Sequence, residues 1–198
     1  MKNRIIWYDF ETNGLNPYHN QIIEVYAVDH DNQTFHRLIK NPQPLDPRIT
    51  ELTKITDSML EMNGVDVNDA MRDFRDFLLK GTEKRYSHTF LVAHNGDSFD
   101  RLFLKTAMNK AGCPLPPNTF KYIDTLHLAR LMAPQLYNHR LSTIANYYGI
   151  RTEGSDFHRA EADVRALRAV YAYLTTRFRT DGQSENDAVV DVFNAIYL

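Results

Sequence analysis

The feature that most constrains this chain is a strand whose inward face carries acids. Residues Arg4 to Phe10, RIIWYDF, form a short apolar run rich in Ile and aromatics and read as a β-strand. Side chains alternate along a strand, so Ile5, Trp7, Asp9 and Glu11 share one face. At ~3.3 Å per residue, Asp9 and Glu11 stand about 7 Å apart, close enough for both carboxylates to converge on one ion. Either the strand ends at Phe10 and water solvates the acids, or the fold must supply them with a partner.

Further strands are expected at Gln21 to Val28, Thr34 to Ile39, Thr89 to Ala93 and Phe120 to Ile123. Pro42, Pro44 and Pro47 break the sheet pattern and mark a surface excursion. Helical spacing appears at Asn68 to Leu79, with Met71, Phe74, Phe77 and Leu78 on one face. Other helices are expected at Ser98 to Lys110, Thr125 to Met132, Leu141 to Tyr148, Arg159 to Arg177 and Glu185 to Ile196. Three strands followed by alternating strands and helices predict an α/β fold with a mixed sheet.

The long helix supplies a second misplaced acid. Asp163, Leu167, Val170, Leu174 and Phe178 follow the spacing of a core-facing stripe, and Asp163 is its one acid. Glu161 instead lies on a polar face with Arg165 and Arg168, where Glu161 and Arg165 form an i, i+4 pair. A buried carboxylate needs either a metal or a structural cation, so Asp163 is the candidate ligand. In VAHNGDSFDRLFL, Asp97 and Asp100 both stand near a helix N-terminus, where acids are favoured. Either is a cap or faces a site; the cap reading is the stronger for Asp97, and Asp100, between the inward Phe99 and Phe103, is the better candidate for the site, with Asp97 its minor rival. Asp124, ahead of TLHLAR, reads as the N-cap of that helix. His158 precedes the long helix and lies five residues before Asp163, where it can take a proton from a water beside the carboxylates.

Composition narrows the chemistry. The chain has 198 residues, 43% hydrophobic and 24% charged, with 8 Gly and 8 Pro, which excludes a collagen, a disordered tail and a disulfide-stapled miniprotein. At this length folding hides roughly 70% of the surface of the unfolded chain, enough for one core. One domain is expected over residues 1–198, with its core at about 4–178 and a final helix at about 185–196. Little sequence remains outside it, which predicts a chain complete in itself. Cys113 is the single cysteine, so no internal disulfide or Cys-rich zinc site can form, and a reducing intracellular compartment is expected. No apolar stretch resembles a signal peptide or a membrane span. No HExxH motif supports a zinc protease. Net charge is −2, from 23 Lys and Arg against 25 Asp and Glu, which alone argues against a broad basic grip on duplex nucleic acid. Setting four acids aside as metal ligands leaves 21 against those 23 bases (25 less 4), and the objection largely dissolves. Four acids and a histidine without thiols suit hard cations such as Mg²⁺ or Mn²⁺, acting on phosphodiesters.

Taken together, YDFETNGL, AHNGDSFDRLFL and HRAEADVRAL, in this order, resemble the three motifs of the DEDDh 3′–5′ exonucleases. That ribonuclease-H-like class includes the proofreading subunits of bacterial replicative polymerases. The resemblance runs from about residue 4 to residue 178, with YIDTLHLAR and HRLSTIANYYGI resembling the segments between the second and third motifs. Gly96, Asp97 and Ser98 separate His-Asn from Phe-Asp where proofreading subunits usually have two residues. The longer form resembles the three-prime repair exonucleases, whose proline-rich insertion is not evident here.

The resemblance implies a sheet of three antiparallel strands continued by parallel ones, and two divalent ions, Mg²⁺ or Mn²⁺. Asp9, Glu11 and Asp163 would hold the first; Asp9 would bridge to the second, assisted by Asp100, and His158 would be the general base. Thr12, Asn13 and Gly14 would meet the terminal nucleotide, Leu15 would wedge against the last base, and Asn95 and Phe99 would line the cleft. The implied reaction releases nucleoside 5′-monophosphates from 3′ ends of single-stranded DNA or RNA, without a membrane partner. His139 and Arg140 are either phosphate contacts or a solvated turn. An RNA-specific trimming enzyme or oligoribonuclease is the alternative within this chemistry. A non-catalytic nucleic-acid-binding or polymerase-docking module is the alternative outside it. Val190, Phe193 and Ile196 on the final helix would serve a polymerase or homodimer partner, or pack on the domain's own core.

Overall fold

The computed structural model describes residues 2–82, 85–150, 158–179 and 182–198. A five-stranded sheet runs through it in the order β3-β2-β1-β4-β5. Its strands are β1 (Lys2–Thr12), β2 (Ile22–Asp29), β3 (Thr34–Leu38), β4 (Tyr86–Ala93) and β5 (Phe120–Asp124). Strand β2 pairs antiparallel to both β1 and β3, whereas β4 pairs parallel to both β1 and β5. This is the expected ribonuclease-H-like α/β arrangement. The carboxyl ends of β1, β4 and β5 meet along one rim, and β1 sits where pairing switches from antiparallel to parallel. Ligand sites of open α/β sheets form at such a rim.

The helices are α1 (Pro47–Thr53), α2 (Asp57–Asn63), α3 (Val67–Leu79), α4 (Asp100–Lys110), α5 (Thr125–Met132), α6 (Leu141–Tyr147), α7 (Ala160–Leu174) and α8 (Glu185–Tyr197). Alternation along β1 divides the core. Ile6, Tyr8 and Phe10 pack with Met71, Phe74 and Leu78 of α3 and Phe103 and Leu104 of α4. Ile5 and Trp7 face the other way, against Leu128 of α5, Ile144 of α6, Val164, Leu167 and Val170 of α7, and Val189 and Val192 of α8. Asp9 and Glu11 continue that second face toward α7, as the alternation predicts.

Two expectations need correction, and the choice left open for the final helix is decided. The proline-rich excursion contains two short helices, α1 and α2, begun by Asp46 with Pro47 behind it and by Thr56, each side chain accepting a backbone N–H of the first turn. Their Leu45, Ile55 and Leu60 cover Ile23 in a separate small core. The long helix stops at Leu174 and tightens into a 3₁₀ turn, Thr175–Phe178. Val190, Phe193 and Ile196 pack partly buried on the second core, so the apolar face of α8 is already covered by its own domain. Among the described residues, no helix is long and apolar enough to cross a membrane.

Arg4 ties the sheet to α3. Its guanidinium pairs with Asp29 of β2 at 2.8 Å, with side-chain exposures of only 1% and 4%. It also donates to the carbonyls of Phe77, Leu78 and Lys80 at 3.1, 2.9 and 3.1 Å, satisfying the end of α3. Removing one partner of such a pair strands a buried charge. Arg4→Met is expected to lower unfolding stability by about 3–5 kcal/mol, read from urea denaturation followed by circular dichroism. A loss below ~1 kcal/mol, the value of an exposed pair, contradicts this account.

Candidate active site

Asp9 and Glu11 stand at the last turn of the pleat in β1, before a register shift between Glu11 and Thr12. A bulge there re-aims the chain as it leaves the sheet. On α7, Asp163 lies in the first turn of the helix that packs over this face. One carboxylate oxygen from each of Asp9, Glu11 and Asp163 lies within 4.8 Å of the others. Asp100 opens α4 beside them. It is buried, and its Oδ1 accepts the Phe10 N–H at 3.3 Å, which fastens it to the middle of the DFE run. Three of the four expected ligand acids therefore converge, and the fourth flanks them.

These charges repel. Burial comes first in lifting the Asp9 carboxyl well above the usual range, followed by the negative charges of Asp100, Glu11 and Asp163. Glu11 is pushed up to about 8 by burial, then by Asp163, Glu24 and Asp100, with Arg159 opposing. Asp100 reaches about 7, chiefly through burial, despite hydrogen bonds from its own and the Phe10 amide. Asp163 is raised by burial while the His158 backbone N–H pulls it down. All the donors are carboxylate oxygens short of countercharge, so a hard divalent cation fits the set without further rearrangement of ligand type.

His158 is exposed, with φ of +77°, and its backbone N–H donates to Asp163 Oδ2 at 2.9 Å. It lines the same cleft as Asp9 and Asp163, a space of about 810 Å³ whose other walls include Asn95, His139, Arg140 and Ser142. The cleft thus has an acidic floor and a wall bearing a histidine and an arginine. His94 closes its base, with Nε2 2.8 Å from the His139 carbonyl and Nδ1 2.9 Å from Thr125 Oγ1.

Of the residues expected to meet substrate, Asn95 lines the cleft in a left-handed turn at φ +61°. Phe99 packs partly buried with its ring 4.8 Å from Phe103. Leu15 is 84% exposed at the tip of the β1–β2 loop. The Asn13 amide builds that loop, accepting from Gln21 N at 2.8 Å and donating to Asn41 at 2.9 Å. Thr12 Oγ1 donates to the Gly14 carbonyl at 2.6 Å. A Cβ on Gly14 would fall 2.5 Å from the Asn20 side chain, so this glycine makes room for Asn20.

Asp97 departs from its expected capping role. Phe99 is the N-cap of α4 and has no side-chain cap bond, whereas Asp97 pairs with Arg101 at 3.3 Å. Asp124 does cap α5, taking Leu126 N–H at 2.8 Å, and also accepts Asn95 N–H at 2.8 Å and Asp97 N–H at 3.1 Å. The sequence reading overlooked Glu24 and Arg159. Glu24 is directly opposite Glu11 across the β1–β2 ladder, a like-charge pairing that is unfavourable in isolation. Arg159 answers it with bonds of 2.8 and 3.1 Å, His36 adds one at 2.9 Å, and Ala160 N–H adds one at 3.2 Å. Burial alone would raise Glu24, but the His36 and Arg159 hydrogen bonds hold it at about 2. The bridge anchors the start of α7, and with it His158 and Asp163. Its signal was readable: Glu24 interrupts the apolar run IIEVYAV just as Asp9 interrupts β1.

Because Glu11 and Asp100 bind protons more tightly folded than unfolded, these two groups hold more protons in the metal-free protein than in its unfolded chain between about pH 4.5 and about 8. Their contribution to stability is present below that window and is lost as pH rises through it. In EDTA the melting temperature is expected to fall across this range. With millimolar Mn²⁺ it should rise, because the ion displaces those protons. A melting temperature equally insensitive to metal at both ends of the range contradicts the assignment.

The geometry can now be set beside known proteins. The family model described as Exonuclease (RNase_T) matches residues 6–171. The PolC-type DNA polymerase III of Mycoplasma genitalium is 33% identical over 179 residues, covering 88% of this chain and 12% of that protein. That of Bacillus subtilis is 35% identical over 191 residues, covering 94% of this chain and 12% of that protein. The chain thus spans only about 12% of the length of these curated relatives. Among solved structures, the zinc-ion-bound form of the E. coli exonuclease I complex with single-stranded DNA superposes with a TM-score of 0.77 at 18% identity, covering 98% of this chain and 43% of that one. With the family match running from β1 into α7 and the acids of all three motifs gathered at one rim, the chain belongs to the exonuclease family, in its DEDDh 3′–5′ type with the ribonuclease-H-like fold.

Proposed function

We propose that the protein is a metal-dependent 3′–5′ exonuclease that removes nucleoside 5′-monophosphates from single-stranded DNA. The observation that carries this reading is the convergence of Asp9, Glu11 and Asp163 within 4.8 Å at the floor of a cleft that His158 also lines. Two ions, Mg²⁺ or Mn²⁺, suit the all-oxygen donor set, with Asp9, Glu11 and Asp163 holding one and Asp9 and Asp100 the other. When bound, such ions supply Lewis acidity to the attacked phosphate and neutralise charge on the departing 3′ oxygen.

The chain's own groups do the rest. His158 accepts the proton of the attacking water as general base. Arg140 and His139, on the cleft wall, take the phosphates of the preceding nucleotides. Asn95 and Phe99 flank the terminal nucleotide from the β4 side, and Thr12, Asn13 and Gly14 shape the opposite side. Leu15, exposed at its loop tip, is free to press on the last base. Such a site favours a strand whose end is already unpaired, since a terminal base must be splayed to enter. The matching stretches of the relatives lie within proteins named DNA polymerase III, which supports DNA as the strand and a polymerase as a partner. The single-domain reading over 1–198 accords with one sheet covered on both faces.

A gel time course tests this directly, using 5′-labelled single-stranded DNA and RNA with free or blocked 3′ ends, in Mn²⁺, Mg²⁺ or EDTA. DNA is expected to shorten stepwise from free 3′ ends only, and only with metal. Asp163→Asn should keep the fold, because the amide oxygen can still accept the His158 N–H, and abolish cleavage. His158→Ala should slow cleavage by roughly 10²–10⁴, the usual contribution of a general base. Full activity of Asp163→Asn, or stepwise loss from blocked ends, overturns the reading. Preferential shortening of RNA would reassign the substrate to the RNA-trimming alternative.

A further inference from the structure

Helix α8 lies beyond residues 6–171 of the family match, yet its last residue reaches the loop that leads to Asp100. The Tyr197 hydroxyl accepts the Asp124 N–H at 3.0 Å and donates to Asp97 Oδ2 at 3.0 Å. Asp124 in turn receives the amides of Asn95 and Asp97. One phenol therefore joins the end of β5 to the 94–99 turn between β4 and α4. That turn is tight. Asn95 takes a left-handed conformation, and a Cβ on Gly96 would meet the Ala93 Cβ at 2.7 Å. The turn ends on Phe99 and Asp100, so any shift at Asp97 is delivered to the cleft within three residues.

Asp97, Asp124 and His127 also bring ligand atoms within 4.8 Å of one another, which raises the question of a second ion site. Their bonding argues against it. Asp124 uses both oxygens on three backbone amides, and Asp97 uses both on Arg101 and Tyr197. Both acids thus have both oxygens engaged, whereas Asp163 accepts the His158 N–H at one oxygen. The cluster is a brace.

We propose that Tyr197 is a positioning residue: through Asp97 and Asp124 it fixes the 94–99 turn, and so sets Asp100, Asn95 and Phe99 in register with Asp9 across the cleft. The role rests on the exonuclease reading for its catalytic consequence, but the brace itself does not. Helix α8 is held independently of the hydroxyl, by Val189 and Val192 in the core, by Phe193 against Phe90 at 5.9 Å, and by the Asn3 side chain on the Asn186 carbonyl at 2.8 Å. Tyr197→Phe therefore removes the brace and keeps the helix, whereas Val189→Ala loosens the helix and keeps the hydroxyl.

The test compares the full-length wild type, Tyr197→Phe and Val189→Ala by amide hydrogen exchange, by Mn²⁺ calorimetry and by single-strand cleavage. Tyr197→Phe is expected to speed exchange at Asn95 and Asp97. It should weaken Mn²⁺ binding by about 10-fold, the lower end of the effect of losing an outer hydrogen-bond partner of a metal site. It should also lower kcat with little change in KM. Combining it with Asp97→Ala should add little, because both changes break the same link. Val189→Ala is expected to lower the melting temperature while leaving Mn²⁺ affinity within about twofold of wild type. Wild-type exchange and Mn²⁺ affinity in Tyr197→Phe, or an equal loss in Val189→Ala, overturns the proposal. If the wild type cleaves nothing while the exchange and affinity differences stand, the exonuclease reading fails and the brace survives.

Discussion

The structure is organised around a concentration of negative charge that water does not fully solvate. Asp9, Glu11, Asp100 and Asp163 come from three different elements, and a fifth acid, Glu24, stands opposite Glu11. Coulomb repulsion at such distances in a low-dielectric rim is severe, and the fold answers it unevenly. Glu24 is neutralised by Arg159, hydrogen-bonded to His36 and made structural. Among the described residues the four others receive no comparable cation, and their carboxyls are raised instead. That difference in ion pairing separates a scaffold acid from a metal site. Replacing the missing countercharge with a divalent ion relieves the strain and creates the reactive centre together.

The uneven treatment also explains how α7 is set. Its first turn must bring Asp163 to β1 and His158 into the cleft, and no side chain of its own caps it. The cap comes from across the sheet, where Glu24 takes the Ala160 amide and the Arg159 guanidinium. The like-charge register of Glu11 and Glu24 is thus resolved by the helix that carries the third ligand. On the other side of the cleft, Asp124 does for the 94–99 turn what Glu24 does for α7, using the amides of Asn95 and Asp97 in place of an arginine.

Much of this was legible in the residues because acids on apolar faces are conspicuous. Alternation in β1 and the i, i+4 stripe in α7 put Asp9, Glu11 and Asp163 inside before any contact was known. The mixed sheet followed from three strands preceding the alternating units, whereas its strand order, β3-β2-β1-β4-β5, did not. The overlooked parts failed for physical reasons. Helices α1 and α2 are one and a half to two turns long, too short to show periodicity, so only the Asp46-Pro47 cap betrays the first. Asp97 looked like a cap because it precedes a helix; its choice of Arg101 and Tyr197 depends on a residue 100 positions away in sequence. Glu24 carried the same signal as Asp9, but a lone acid in a strand does not say whether a cation or an ion will meet it. Arg159 does, and that pairing spans 135 positions.

The central claim is that the acids left without a pairing cation among the described residues, and not those held by Arg101 or by three backbone amides, bind the ion. The most direct measurement is an anomalous difference map from crystals soaked in Mn²⁺, collected on the low-energy side of the iron edge where manganese still scatters anomalously. The account predicts a peak bounded by the carboxylates of Asp9, Glu11 and Asp163, whose oxygens already gather within 4.8 Å. A map with no peak there, or with its peak among Asp97, Asp124 and His127, would contradict it.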